Sequence, residues 1–307
     1  MTSEVCDAQQ GDIPAIARCW NGLMVHDTMS EAELQRALFG VEAAVLLVAH
    51  RGDEVTGLVC GVPATSRGSR GHIIAVCAAS ASEAADLLGR AEERLARLGV
   101  THIVASEFGA NPLAPGTDVR YEHLHAGFAQ AGFERTHTLD DMELCLPGYK
   151  PTDYQRQASV RMEAYGARVV RWSDDLAPVL QRFPQAAESS EDLPAGWFLE
   201  GWDEGPNMVI AFKDGEAIGW ANYDPDLTQS FGRYHRPNAG AFGPTGVLEE
   251  HRGHGVGTCI LVETSLAAKR AGREWLWAGW TNTPFYIPND WTICRQFAVW
   301  EKGSGKD

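Results

Sequence analysis

A glycine-rich segment in the second half of the chain has residue types suited to holding an anion. It reads Val247-Leu248-Glu249-Glu250-His251-Arg252-Gly253-His254-Gly255-Val256-Gly257-Thr258, between an apolar strand and a helix. A helix that opens on glycines presents unpaired backbone N–H groups, and its dipole favours negative charge there. Arg252 adds a permanent positive charge, and Thr258 places a hydroxyl at the start of the helix.

The spacing of these glycines excludes two other phosphate-binding motifs. The third glycine of a dinucleotide fingerprint is missing, and no Lys-Ser/Thr pair follows the last glycine as in a P-loop. His251 and His254 lie in or beside the segment, but no third ligand at metal spacing accompanies them. The sequence therefore predicts an anion site and no metal site.

Several residues near this segment could accept a proton from a substrate. The preceding strand, 242–247, carries no acidic side chain, so the candidates are Glu249, Asp224, Asp226 and His235. Each of the four also fits an exposed loop charge. Aromatic and acidic residues of the same region could hold a cationic amine, although core packing accounts for most of the tryptophans; they are Trp197, Trp202, Trp220, Asp203 and Glu204.

Five features recur in the same order about 160 residues apart, which predicts an internal duplication. A helix start at 11–16 recurs at 173–179, and a hairpin at 45–60 recurs at 209–221. Each copy continues with a strand and a helix, then another strand, then a short helix that contains Phe128 or Tyr286. Strands that alternate with such helices predict an α/β fold with a mixed sheet in each copy.

The length of 307 residues fits two domains of ordinary size. We predict a first domain at 1–150, a linker helix at 151–166 and a second domain at 167–307. The linker helix corresponds to a polar helical stretch at 153–165, which follows a Pro- and Gly-containing segment.

The glycine-rich segment also carries a resemblance to a known family. Arg252-Gly-His-Gly255-Val-Gly257 resembles the R/Q-x-x-G-x-G/A loop with which acyltransferases of the GNAT superfamily hold the pyrophosphate of coenzyme A. Thr245-Gly-Val247 resembles the strand that pairs with the pantetheine amides. Tyr286 stands where the family has a tyrosine that commonly protonates the departing CoA thiolate. The order of elements is similar to the GNAT fold in both copies, so the resemblance covers nearly the whole chain.

The resemblance implies an acyl-CoA-dependent N-acyltransferase, most simply an N-acetyltransferase acting on a primary amine of a small molecule. Its implied cosubstrate, acetyl-CoA or another acyl-CoA, would be bound by Val247, Leu248, Arg252, Gly253, His254, Gly255, Val256, Gly257, Thr258 and Asn282. The resemblance implies Tyr286 as the catalytic acid. It gives no base, since the strand 242–247 has no carboxylate, and of the candidates above we expect Glu249 or Asp224 in that role. Two alternatives are a non-catalytic module that binds acyl-CoA and a GNAT-fold enzyme with other thioester chemistry.

The first copy lacks the features that the family uses. It has Ala78-Ala-Ser-Ala-Ser-Glu83 in place of the loop, without glycine or arginine, and Phe128 in place of Tyr286. A carboxylate at Glu83 would repel pyrophosphate, so we expect a degenerate first copy and a single active second copy.

The composition limits partners and location. A formal charge of −15, from 41 acidic and 26 basic residues, argues against nucleic acid and is compatible with a cationic substrate. The longest apolar stretches are far shorter than the roughly 20 residues that cross a bilayer, and no secretion signal is visible. Seven dispersed cysteines without a C-x-x-C pair predict reduced thiols. We expect a soluble, cytoplasmic monomer or homodimer that has no membrane partner.

Overall fold

The computed structural model describes residues 4–40, 45–63, 69–106, 115–173, 207–224, 227 and 236–303. Contacts within the described chain separate it into two compact units. The first unit contains the described residues up to 140 and those from 295 onward, and the second contains the described residues between 141 and 294.

The first unit is a mixed sheet with packed helices. Its strands are β1 Glu4–Asp7, β2 Val45–Arg51, β3 Glu54–Pro63, β4 Arg70–Ala78, β5 His102–Ala105 and β6 Thr117–Asp118. Its helices are α1 Ile13–Leu23, α2 Glu31–Phe39, α3 Ala81–Arg97 and α4 Glu122–Gln130, and a short 3₁₀ helix, Gln10–Asp12, precedes α1. Strands β1 to β4 pair antiparallel in chain order, whereas β5 runs parallel to β4.

Helix α3 shows how sequence pattern produces these elements. Its buried residues recur at helical spacing and form one apolar face: Ala84, Leu87, Leu88, Ala91 and Leu95. Ser80 caps its first turn by accepting the Glu83 N–H at 3.2 Å. The helix therefore begins directly after its capping residue and buries one face along its whole length.

From its second strand onward, the described part of the second unit repeats the order of elements that begins at β2. Its strands are β8 Ala167–Arg171, β9 Met208–Lys213, β10 Glu216–Asp224, β11 Ala239–Val247 and β12 Trp275–Thr281. Its helices are α5 Asp153–Ala164, α6 Val256–Arg270 and α7 Thr283–Tyr286, with 3₁₀ helices at Glu249–His251 and Ile287–Asn289. Strands β8 to β11 pair antiparallel, and β12 runs parallel to β11. The predicted mixed α/β fold is confirmed, while the helix start predicted at 173–179 lies almost wholly outside the described residues.

Two long strands, β7 Glu134–Cys145 and β13 Thr292–Gly303, each contribute to both units. The first unit takes β7 up to Asp140 and β13 from Arg295 onward. There β13 pairs antiparallel with β5, from Trp300 opposite Ala105 to Gly303 opposite His102. The division of the chain at residues 150 and 166 stays a prediction, and these contacts assign the end of the chain to the first unit.

The helix predicted as a linker, α5, is packed within the second unit. Its residues Ala158 and Met162 are buried in the core of that unit, and it contacts α6. Its start is fixed by a capping box in which Thr152 and Gln155 each bond the backbone of the other. None of the helices in the described ranges is long and apolar enough to cross a membrane.

Candidate anion and acyl-transfer site

Strands β11 and β12 of the second unit begin as a parallel pair and then separate. Their register runs from Ala239 opposite Trp275 to Ala241 opposite Trp277, and the described residues of the two strands pair no further. Strand β10 remains paired with β11 as far as Val247. A gap therefore opens between β11 and β12, and residues 242–247 carry backbone groups on a side that no strand of the described ranges covers.

A β-bulge at Gly243-Pro244 marks the place where the two strands part. Ala221 of β10 lies opposite Thr245, whereas Tyr223 lies opposite Phe242, so β11 has one residue more than β10 over this interval. A bulge bends the strand that carries it, and proline removes one ladder hydrogen bond. Gly243 adopts a φ of 114°, a value that L-residues with side chains rarely adopt. The bulge thus directs β11 away from β12.

The glycine-rich segment forms a tight turn from the end of β11 into α6. Gly253 and Gly255 have φ values of 81° and 85°, and Val256 is the first residue of the helix. No described side chain caps this end of the helix. The first N–H groups of α6 therefore face out of the helix without an intrahelical acceptor, as an anion site requires.

The three glycines of the turn have different steric surroundings. A Cβ on Gly255 would lie 2.4 Å from the carbonyl oxygen of Ala158 in α5. A Cβ on Gly257 would lie 3.3 Å from the Phe285 ring and 3.6 Å from Val247 Cγ2. A Cβ on Gly253 would meet nothing within 4 Å. Close packing thus demands glycine at 255 and favours it at 257, whereas only backbone conformation favours it at 253.

Three predicted ligand residues beside the turn are held by backbone contacts. Arg252 Nε donates to the Val247 carbonyl at 2.9 Å, which ties the turn to the end of β11, and the arginine side chain is exposed. The Leu248 N–H donates to the Ile218 carbonyl at 3.0 Å, and the Leu248 side chain is buried. Leu248 consequently packs in the core, and the exposed cation of the turn is Arg252.

Both histidines of the turn contact Tyr165, which the sequence did not suggest as a functional residue. The Tyr165 ring stacks on His254 with centroids 3.7 Å apart and planes 4° apart. The Tyr165 hydroxyl lies 2.8 Å from His251 Nδ1, and Lys213 Nζ lies 5.1 Å from the Tyr165 ring centre. These contacts join both histidines of the turn to Tyr165. The described residues include no cluster of three potential metal ligands.

Tyr286 lies at the end of α7, buried among aromatic rings. Its neighbours are Phe285, Phe242 and Trp291, the last with its ring centroid 5.1 Å away. The Tyr286 hydroxyl forms no hydrogen bond with any described residue. Burial raises the pKa of Tyr286 above its ordinary value, so the phenol stays protonated at neutral pH.

The remaining predicted residues lie at the edges of this region. Asn282 is exposed directly after β12, and its carbonyl accepts the Phe285 N–H at 2.8 Å. Glu249 is exposed in the 3₁₀ helix after β11, and Asp224 is half-buried at the end of β10 opposite Ala241. Trp220 is fully buried and belongs to the core. Six other candidates lie outside the described residues: Trp197, Trp202, Asp203, Glu204, Asp226 and His235.

The equivalent helix end in the first unit already carries a carboxylate of the chain. Glu83 Oε2 accepts the Ala79 N–H at 3.0 Å, and its Oε1 accepts the Thr56 hydroxyl at 2.6 Å. The Ser80 hydroxyl caps the same turn. Phe128, the counterpart of Tyr286, is fully buried and stacks on Trp300 with centroids 5.6 Å apart. An external anion at this position would meet a fixed negative charge.

Residues 173–284 match a family model described as the acetyltransferase (GNAT) family. No curated protein matches the sequence significantly. A tandem GNAT protein from the clavulanic acid biosynthesis pathway is similar in structure, with a TM-score of 0.64, 14% identity and 99% of each chain covered. A GCN5-related N-acetyltransferase from Sphaerobacter thermophilus gives a TM-score of 0.67 and 14% identity, covering 99% of this chain and 97% of that one.

A third solved structure is a fungal multidomain GH3 β-N-acetylglucosaminidase that contains a GCN5-related glucosamine N-acetyltransferase region. It gives a TM-score of 0.76 and 16% identity over 98% of this chain, which spans 38% of that longer chain. At these identities the three structures show that the fold is shared.

Proposed function

Because this chain carries a GNAT-family acetyltransferase domain over residues 173–284, we propose that it transfers an acyl group from acyl-CoA to an amine, using the second unit. The observation that carries the proposal is the gap between β11 and β12, which leads directly to the uncapped, glycine-rich start of α6. A long, narrow cosubstrate with a pyrophosphate needs both features, and one continuous segment of chain supplies them.

The pyrophosphate would bind at the turn of residues 252–258. The N–H groups at the start of α6 supply hydrogen-bond donors, and the helix dipole contributes roughly 0.3–1 kcal/mol towards an anion. Arg252 adds an exposed positive charge that its bond to the Val247 carbonyl holds close to the turn. The open space at Gly253 leaves the backbone accessible to phosphate oxygens.

The pantetheine arm would lie along the unpaired side of β11 in the gap. Residues 242–247 offer backbone groups there that can bond the amides of the arm, and Asn282 stands at the end of the opposite strand. This arrangement would place the thioester where the two strands diverge. Acetyl-CoA is the simplest acyl-CoA of this kind.

Transfer would proceed by direct attack of an amine on the thioester. The amine nitrogen bonds to the acyl carbon, the carbon–sulfur bond breaks, and the leaving thiolate takes a proton from Tyr286. Burial holds Tyr286 in its protonated form at neutral pH, so the phenol carries the proton that the thiolate takes. We propose that the carboxylate of Glu249 or of Asp224 receives the proton that the amine loses.

The acceptor would be a small primary amine that is cationic in solution. The charge of −15 favours the approach of such a molecule. One solved structure of the same fold contains a region named as a glucosamine N-acetyltransferase, which makes amino sugars a reasonable first class to assay. The first unit would serve as a degenerate copy, since Glu83 occupies its helix end.

The test follows free-thiol release from acetyl-CoA with a panel of primary amines that includes glucosamine. Tyr286→Phe should lower kcat by roughly 10²-fold or more, because it removes a general acid, while the Kd for CoA changes little. Tyr149→Phe is the matched control, since Tyr149 is also buried but donates to Gln155 Oε1 at 3.1 Å. If CoA binds tightly but none of the amines in the panel causes thiol release, the result would instead indicate a non-catalytic binding module.

A further inference from the structure

Asn222 is a buried amide without a partner. It lies in β10 with 5% of its surface exposed, and neither Oδ1 nor Nδ2 has a hydrogen-bond partner in the part of the chain that the structure describes. Most buried side-chain amides in proteins are bonded, because an unsatisfied polar group destabilises the fold. Such a residue lowers stability unless another molecule completes its bonds.

Asn222 stands beside the place where β11 and β12 part. Its neighbours Ala221 and Tyr223 lie opposite Thr245 and Phe242, so Asn222 faces the bulge at Gly243-Pro244. Adjacent strands are about 4.8 Å apart, so Asn222 lies that far from the part of β11 where the gap between β11 and β12 begins.

The side chain of Asn222 projects to the sheet face opposite Tyr286. Tyr223 pairs with Phe242, whose ring contacts Tyr286, so these side chains share one face. Because side chains alternate along a strand, Asn222 lies on the other face, together with Trp220 and Asp224. A molecule that meets Asn222 therefore approaches from the side of Asp224.

The chemistry of an amide limits what could complete its bonds. Its oxygen accepts and its nitrogen donates, so one group that does both, a hydroxyl or another amide, satisfies it best. An ammonium group can only donate, and a carboxylate can only accept. We infer that Asn222 recognises a hydroxyl or amide of the acceptor, so that the acceptor is an amine that also bears such a neutral polar group. This inference rests on the proposed function.

The amides of pantetheine are the other source of the same chemistry. They are expected in the gap between β11 and β12, and β11 separates Asn222 from that gap. The two sources predict different effects. A residue that binds the acceptor changes the KM for the amine, whereas one that binds pantetheine changes the Kd for CoA.

The experiment replaces the amide in Asn222→Val and Asn222→Ala. It measures the Tm, the Kd for CoA, and kcat/KM for two probes that differ by one hydroxyl, trans-2-aminocyclohexanol and cyclohexylamine. Gln155→Leu is the matched control for stability, because Gln155 is also buried but both polar atoms of its amide are bonded. Its oxygen accepts from the Thr152 N–H and the Tyr149 hydroxyl, and its nitrogen donates to the Asn289 carbonyl.

We expect the wild type to prefer aminocyclohexanol by about tenfold or more, and both Asn222 variants to lose that preference. The Tm should rise in Asn222→Val and fall in Gln155→Leu, while the Kd for CoA stays within about twofold. A lower Tm in both Asn222 variants with an unchanged preference would overturn the inference and assign Asn222 a structural role. A weaker Kd for CoA with an unchanged preference would assign it to pantetheine.

Failure of the proposed function gives a separate result. If cyclohexylamine is acetylated but the hydroxyl brings no preference, acyl transfer stands and recognition by Asn222 is wrong. If neither probe is acetylated, the Tm of the wild type with CoA and aminocyclohexanol decides the matter. An increase that Asn222→Val abolishes supports recognition without turnover, and the absence of an increase contradicts it.

Discussion

A single charge at position 253 should decide whether the turn before α6 holds pyrophosphate. Asp and Asn have nearly the same shape, and both tolerate the positive φ of 81° that Gly253 adopts. A Cβ there meets nothing within 4 Å, so either side chain starts in open space and the two variants differ mainly in charge. We expect Gly253→Asp to weaken the Kd for CoA at least tenfold relative to Gly253→Asn, as measured by fluorescence titration at low salt. Equal affinities would mean that no anion binds at this turn.

Sequence could locate this turn because its residue types and their order are local. It could not show the contacts that shape the turn, since these join residues far apart in the chain. Tyr165 lies 86 residues before His251, to which its hydroxyl bonds, and no local pattern indicates that pairing. The unsatisfied state of Asn222 likewise follows from its surroundings rather than from its residue type.

At the scale of elements, the sequence predicted β11 as a strand over 242–247, whereas the strand begins at Ala239. The segment 239–244 contains two glycines and a proline, which are poor strand formers. Pairing with β10 on one side and with β12 on the other imposes the extended form. Tertiary contacts thus overrode local preference at the place that opens the gap.

The contact of α6 with α5 can be tested through Gly255. Gly255→Ala would place a Cβ 2.4 Å from the Ala158 carbonyl oxygen, in addition to straining the positive φ. We expect it to lower the free energy of unfolding by about 2–4 kcal/mol in a urea titration. Gly253 has a similar positive φ, but a Cβ there contacts nothing. Gly253→Ala should therefore lower the free energy of unfolding by only about 1–2 kcal/mol. Equal losses in the two variants would mean that the helices do not pack this closely.

At the scale of the whole molecule, the end of the chain completes the first unit. Arg295 of β13 bonds Asp27 at 3.0 and 3.1 Å and Asp118 at 2.9 and 2.6 Å, and all three side chains are almost fully buried. A repeat in the sequence predicts which segments share a fold, but not which unit receives the last strand. The repeat therefore predicted the mixed sheet correctly, but it could not predict which unit β13 joins.

Replacing Arg295 should destabilise the first unit strongly. Arg295→Met leaves two buried carboxylates without their shared partner. We expect it to lower the free energy of unfolding by about 3–5 kcal/mol at pH 7. The control Arg90→Met breaks a half-exposed pair with Asp86 and should cost less than about 0.5 kcal/mol. The free energy of unfolding of both variants is measured by chemical denaturation. If it falls by a similarly small amount in the two, the buried ion pairs add little to stability.

The same network predicts how stability depends on acid. Burial raises the pKa of Asp118, but hydrogen bonds from Arg120 and the charge of Arg295 outweigh this and lower the pKa to about 2. Because the pKa of an unfolded aspartate is about 3.9, this group stabilises the wild type above pH 4 and loses that contribution as the pH falls towards 2. The stability difference between the wild type and Arg295→Met should therefore shrink below pH 4, and a constant difference would contradict the assignment.

The most direct test of a single acyl-CoA site in the second unit is the stoichiometry of acetyl-CoA binding to the purified chain, measured by isothermal titration calorimetry. We expect one site per chain, because the turn before α6 is open while Glu83 fills the equivalent helix end of the first unit. Two sites per chain would contradict the degenerate first copy. No binding would contradict the acyl-CoA site itself.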